Sequence, residues 1–336
     1  MAELQNSPVE FAIPEDIENW VKLWEGHLKK PEQFRAASGI QPKHWVEAEN
    51  VLNSSTSLKI FLQLTQGTVS LADLNESDSA WPGAFASVRR HQEAICHVDA
   101  ALKKRRASAI QETRIPRPRL AKTSIPGRYS ETGLEATDLF GPGPSGGMQA
   151  PRPATSLELY PPTLDETIVN IHLVLLLQEL TNLRRSSDID CTITRVRFNP
   201  KFGTNSFTAV VDGVVQSKRT KRGFIHFESE ANAVQMQETA EAIGWLKQQT
   251  GGLPQLKDAS RLIIYQGRHE VFLTLMTPGT RYVEYLETTI PTTPEPETFL
   301  KLKTFGPRDI NQRPDLEDLC PTLISLLLAA EEAAQA

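Results

Sequence analysis

Residues 205–213 (NSFTAVVDG), 223–230 (GFIHFESE) and 234–248 (VQMQETAEAIGWLKQ) carry the strongest local pattern in the chain. The first reads as a strand closed by Asp212-Gly213, the second as a strand carrying two carboxylates, and the third as a helix. Strand period puts Phe224, His226, Glu228 and Glu230 on one face and Ile225, Phe227 and Ser229 on the other. Two carboxylates thus share a face with a histidine, and the apolar opposite face is expected to pack on a helix. A strand-end Asp beside a Glu on the next strand offers hard oxygen ligands for Mg²⁺, an ion that takes few carboxylates and keeps several waters. Asp212-Gly213 is equally well read as a tight turn between strands.

Working outward, residues 161–336 alternate helix and strand signals. Thr163-Leu164-Asp165-Glu166 has the form of a capping box opening a helix to about Leu183. Residues 193–198 (ITRVRF) alternate like a strand, and residues 261–277 read as two strands around a turn near Gln266-Gly267. Residues 282–286 fit a strand or a short helix, and a final helix starts near Pro314 or Asp315. Helix, three strands, helix, strands, helix is the order of an α/β mixed sheet flanked by helices.

Residues 1–110 have helical period. Ile17, Trp20, Trp24 and Leu28 recur on one helical face after Pro14. Further helices are predicted within residues 42–64, broken near Asn53-Ser54-Ser55, and over 85–106 with Phe85, Val88, Ile95, Val98 and Leu102 as the apolar stripe. These stripes must be buried against each other or against the C-terminal half. Residues 111–160 are a Pro/Gly-rich basic linker, expected to be disordered because it has too little apolar surface to offset the entropy of ordering.

The 336 residues suffice for a sizeable core, and a net charge of −5 names no partner. Three widely spaced cysteines with no Cys-x-x-Cys pair argue for a reducing compartment. MAELQNSPVEF is not a secretory signal, and the apolar run 168–183 is too short and too polar for a bilayer, so the expectation is an intracellular protein with no membrane partner. The run Lys103-Lys104-Arg105-Arg106 favours the nucleus over the cytoplasm or a nucleic-acid contact, against a solvated helix end. His91, Cys96 and His97 fit no zinc spacing.

The C-terminal half resembles the PD-(D/E)XK nuclease-like proteins of filamentous fungi, within the restriction-endonuclease-like superfamily. The resemblance rests on Glu166 followed by Thr-Ile-Val-Asn, Arg197-Phe198, FTAVVDG ending at Asp212-Gly213, and Gln237-Glu238 opening a helix that ends in Gly244-Trp245-Leu246. RHEVFLTL and a Phe305-Gly306-Pro307 turn before the last helix complete it. It implies an α-β-β-β-α-β core and a Mg²⁺-dependent phosphodiesterase acting on DNA or RNA. Asp212, Glu228 and Glu230 would be the catalytic carboxylates, with Asp212, Glu228 and Glu166 on the metal. The Glu-x-Lys element of that family fits either Glu228-Ser229-Glu230 or His226-Phe227-Glu228, and neither register supplies the lysine. Lys218, Lys221 and Arg222 could reach in from the loop between the strands, and Gln237 stands where relatives hold the substrate backbone. Glu166 is also explained as a capping residue, and Gln237 as part of a solvated helix face. The resemblance therefore implies a degenerate or weak nuclease that binds nucleic acid. The alternative is a catalytically inactive scaffold that binds a protein partner through residues 1–110 and the linker. The oligomeric state is not legible in the sequence.

Overall fold

The computed structural model describes residues 24–67, 70–97, 165–184, 187–202, 205–228, 234–248, 252–287 and 299–336. Residues 1–99 and 162–336 belong to one compact unit. The second unit, residues 100–161, lies outside the described residues, and with it the expected linker and the basic run at Lys103.

The sheet is built from β1 (Trp24–Leu28), β2 (Ile189–Thr192), β7 (Gly213–Ser217), β8 (Gly223–Glu228), β9 (Arg261–Gly267), β10 (Glu270–Pro278) and β11 (Leu300–Asp309). Its seven strands run in the order β1-β11-β10-β9-β8-β7-β2. Two pairs are parallel, β1 with β11 and β8 with β9, and the rest antiparallel. Between β2 and β7 the chain makes an excursion through β3 (Val196–Phe198), β4 (Lys201–Phe202), β5 (Asn205–Ser206) and β6 (Ala209–Val211), where β3 pairs with β6 and β4 with β5.

The helices are α1 (Pro31–Ser38), α2 (Pro42–Ser54), α3 (Thr56–Gln66), α4 (residues 86–97), α5 (Asp165–Asn182), α6 (Val234–Gln248), α7 (Tyr282–Glu287) and α8 (Arg313–Gln335). One core layer joins Leu173 and Leu177 of α5, Leu323 and Leu327 of α8, and Phe34, Trp45, Phe61, Val88 and Ile95 of the N-terminal helices to Leu262 and Ile264 of β9. The other joins Ala242 and Trp245 of α6 and Leu286 of α7 to Ile263 of β9 and Met276 of β10. The alternation of Leu262, Ile263 and Ile264 between the two layers is the two-residue period of a strand buried on both faces, which is why RLIIY reads as a continuous apolar run. The N-terminal helices therefore bury their stripes against the C-terminal half.

Within this frame α5, β2, β7, β8, α6 and β9 give the helix, three-strand, helix, strand order, with α6 as the crossover between parallel β8 and β9. The sheet is thus a mixed α/β sheet covered on both faces. Among the described residues no helix is long and apolar enough to cross a membrane.

Several expectations need correction. Trp24–Leu28 is a strand, laid on the open edge of β11. Positions i and i+4 share a face in a strand as well as in a helix, so the spacing of Trp24 and Leu28 does not separate the two. Residues 1–23 of that expected helix lie outside the described residues. Phe305-Gly306-Pro307 is not a turn: β11 passes through it, and the ladder to β10 is irregular there, between Leu273↔Phe305 and Val271↔Arg308. Gly306 has φ 127°, and a Cβ on it would stand 2.8 Å from the Val271 carbonyl oxygen. In ITRVRF only Val196–Phe198 forms a strand, and residues 205–213 break into β5, β6 and a bend instead of one strand. The break at Ser55 separates α2 from α3 as expected, and the Ser55 hydroxyl caps α3 by accepting from the Leu58 N–H at 3.2 Å.

Candidate functional site

Asp212 is the one residue between β6 and β7, where the chain leaves the small β3–β6 pair and enters the large sheet. Gly213 is required there by contact. A Cβ on it would lie 2.1 Å from the Phe227 ring and 2.6 Å from the Thr192 carbonyl oxygen. Asp212-Gly213 thus closes β6 without making a hairpin turn. It is a switch between sheets, and it places Asp212 at the entrance of β7.

Gly213 is the ladder partner of Phe227, so Asp212 and Glu228 are the next residues at that end of the antiparallel hairpin. On the other side of β8, Glu228 is level with Tyr265 of β9. The structure thus brings the Asp212 and Glu228 backbones together. Of the remaining proposed site residues, Glu166 and Gln237 are described by their backbone in α5 and α6, as is Glu228 in β8, and Glu230 lies outside the described residues. Gln237 stands in the first turn of α6, which follows β8 at the Glu228 end. Helix α5 crosses the sheet from β9, where His172 Nδ1 meets Gln266 Oε1 at 3.1 Å, to β2, where Gln178 Nε2 donates to the Cys191 carbonyl at 2.8 Å. Glu166 lies about 9 Å along the axis before His172 and so approaches from the β9 side, not from β2.

Lys218, Lys221 and Arg222 are not part of this end. They sit on the turn that joins β7 to β8, where the Ser217 N–H donates to the Arg222 carbonyl at 2.9 Å. Five strand steps separate Gly223 from Glu228, a distance of about 17 Å. Among the described residues Arg195 reaches Asp212, with Nε 3.4 Å from Oδ1; its side chain is 74% exposed, that of Asp212 16%. Arg195 is carried by the loop after β2, braced by the Thr194 N–H donating to Thr192 Oγ1 at 3.1 Å. Nothing in the sequence pattern marks Arg195, because its approach to Asp212 depends on the pairing of β2 with β7.

His226 is buried, its ring stacked on Trp245 at 3.9 Å between centroids and tilted against Phe198 at 5.1 Å. Burial, and secondarily the charge of Arg261, pushes its pKa down to about 3. A neutral histidine enclosed by two aromatic rings cannot open onto a metal, so it does not take the Glu position of the His226-Phe227-Glu228 register. The face expected to be open is closed by α6. The strict two-residue parity also fails at Phe224: Val215 pairs with Ile225 but Gln216 with Gly223, so Phe224 is the extra residue of a bulge and joins the core layer of Ile225 and Phe227.

Among the described residues no group of three His, Cys, Asp or Glu side chains is placed to hold a metal ion. A pair of carboxylates suits Mg²⁺ only when substrate phosphate and water complete the shell. No family model, curated protein or solved structure matches the chain.

Proposed function

We propose that the chain is a PD-(D/E)XK nuclease-like protein that binds nucleic acid and cleaves it slowly in the presence of Mg²⁺. The observation that supports this reading is the Gly213↔Phe227 pairing, which sets Asp212 beside Glu228 at one end of the α5-β2-β7-β8-α6-β9 core. Asp212 and Glu228 are the residues that would hold Mg²⁺, which when bound supplies positive charge at the phosphate and a more acidic water. Arg195 balances the charge of Asp212 and lies within reach of an incoming phosphate. No lysine follows two residues after Glu228. The loss of a preorganised donor at a developing charge lowers the rate by about 10²–10³. Slow cleavage of duplex or single-stranded DNA or RNA that requires Mg²⁺ or Mn²⁺ and disappears in Asp212→Asn is the expected result. Absence of both cleavage and salt-dependent nucleic-acid binding overturns the reading.

One observation favours a second reading, an inactive scaffold that binds a protein partner. Asp212 already has a counter-charge without a metal, in Arg195. That reading is sustained if wild type and the Asp212→Asn, Glu228→Gln double variant bind Mn²⁺ equally weakly and both retain a protein partner in pull-downs. It fails if the double variant loses metal binding.

A further inference from the structure

The turn at the far end of the β7–β8 hairpin carries Lys218, Arg219, Lys221 and Arg222, all exposed. Its backbone is held by hydrogen bonds. The Lys221 N–H donates to Ser217 O at 3.0 Å, the Thr220 N–H to Ser217 Oγ at 3.2 Å, and the Lys218 N–H to Asp188 O at 2.8 Å. Lys221 has φ 57°, a left-handed conformation uncommon outside glycine. The Lys218 ammonium donates to the Ser187 carbonyl at 2.8 Å. Arg219, Lys221 and Arg222 form no ion pair among the described residues. Asp188, whose carbonyl holds Lys218, accepts on its carboxylate from Gln335 Nε2 at 3.1 Å.

A fifth cation stands at the base of this turn. Gly252 donates its N–H to the Gly223 carbonyl at 2.9 Å, and a Cβ on Gly252 would lie 2.9 Å from Arg261 Nε. Arg261 lies with its guanidinium 5.5 Å from the Trp245 ring centre and donates from Nη1 to the Ala259 carbonyl at 2.9 Å. Its Nε is buried and has no acceptor. Burial, and then the like charge of Arg222, holds its pKa below the usual arginine value. Four of these cations lie on the turn and the fifth, Arg261, opens β9 beside its base; with no ion pair to Arg219, Lys221 or Arg222 among the described residues, the surface favours a polyanion. The turn offers no apolar side chain for insertion into a bilayer. Three of the five cations, Arg219, Arg222 and Arg261, are arginines, whose planar forks suit phosphate oxygens.

We propose that Lys218, Arg219, Lys221, Arg222 and Arg261 form a docking surface for the phosphodiester backbone of nucleic acid, separate from the Asp212–Glu228 end. The proposal rests on the nucleic-acid reading above. It adds that the phosphates gripped here are not those at the carboxylates, since about 17 Å of strand, roughly five base-pair rises of B-DNA, lies between the two ends.

The test is binding of the full chain to a fluorescein-labelled 20-base-pair duplex across a salt series, with circular dichroism to confirm folding. Each lost phosphate contact makes the log–log salt dependence shallower by about 0.9. The triple variant Arg219→Gln, Lys221→Gln, Arg222→Gln is therefore expected to have a slope smaller by about 2.7 and an affinity at 0.1 M salt lower by roughly 10²–10³-fold. Arg219→Lys with Arg222→Lys keeps the charge and is expected to keep the slope. A triple variant that binds with the wild-type slope overturns this proposal and leaves the nucleic-acid reading standing; a wild type without salt-dependent binding overturns this proposal, and one that also fails to cleave overturns both. Loss of binding to phosphatidylserine vesicles, with duplex binding unchanged, also overturns it.

Discussion

Gly213→Ala tests the argument that the Asp212-Gly213 step is a contact requirement and not a flexible turn. The added Cβ would stand 2.1 Å from both Cε2 and Cζ of Phe227 and 2.6 Å from the Thr192 carbonyl oxygen. Phe227 is fully buried and cannot swing into solvent, and the carbonyl belongs to β2, which is paired to β7 through Thr192↔Val214. Overpacking that meets a side chain costs about 1–3 kcal/mol, and the backbone clash puts this case at the upper end. At roughly 2–4 °C per kcal/mol, a destabilisation of about 3 kcal/mol lowers Tm by about 6–12 °C. The assay is urea unfolding followed by tryptophan fluorescence, run with Phe227→Leu and the double variant. Shortening the Phe227 side chain relieves the ring clash, so the two substitutions should couple by about 0.5–3 kcal/mol with the double variant more stable than the sum of the singles predicts. The reasoning is refuted if Gly213→Ala unfolds within 0.5 kcal/mol of wild type, the range of an ordinary surface substitution, or if the two changes add without coupling.

Two further predictions follow from the same geometry. His172 and His226 have pKa values pushed down by burial to about 4 and about 3, from 6.5. The unfolded chain thus binds protons that the folded chain does not, and stability falls as pH drops from 6.5 toward 4, by up to about 1.4 kcal/mol per pH unit for each histidine. His226→Phe should make urea midpoints between pH 7 and 5 less pH-dependent, and an unchanged slope would count against the enclosed, neutral His226. Arg195→Ala should leave stability within about 1 kcal/mol, because that side chain is three-quarters exposed. It should also raise Mn²⁺ affinity at Asp212 by about 30-fold in calorimetry, from roughly 2 kcal/mol of relieved repulsion between a +2 and a +1 charge at 4 Å. Weaker metal binding in that variant would contradict Arg195 as a competitor for the carboxylate.

Local pattern alone determined a good part of this protein. Val234–Gln248 is a helix, RLIIYQG and EVFLTLMTP are paired strands with the turn at Arg268-His269, just beyond the expected Gln266-Gly267, and the break at Ser55 falls where small polar residues interrupt an apolar stripe. Each of these is legible because its reason is short-range: a helical or strand period, a cap, a two-residue turn. The α/β class follows from the same signals, whereas β2 and β7 do not stand in that reading, and the pairing that sets Asp212 beside Glu228 is a matter of ladder register.

What tertiary structure decided is whatever depends on a partner distant in the chain. Trp24–Leu28 becomes a strand because β11, nearly three hundred residues later, offers an open edge. Strand β11 runs through Gly306-Pro307 because β10 tolerates an irregular register there. His226 shares a strand face with Glu228 in the sequence, yet it is sealed under Trp245. Arg195 meets Asp212, while the lysines and arginine expected to reach it stand at the other end of the hairpin. Periodicity states which side chains share a face. Only ladder register and the packing of helices on the sheet determine which face is closed and which end of a strand a charge occupies, because those contacts join residues that no local pattern connects.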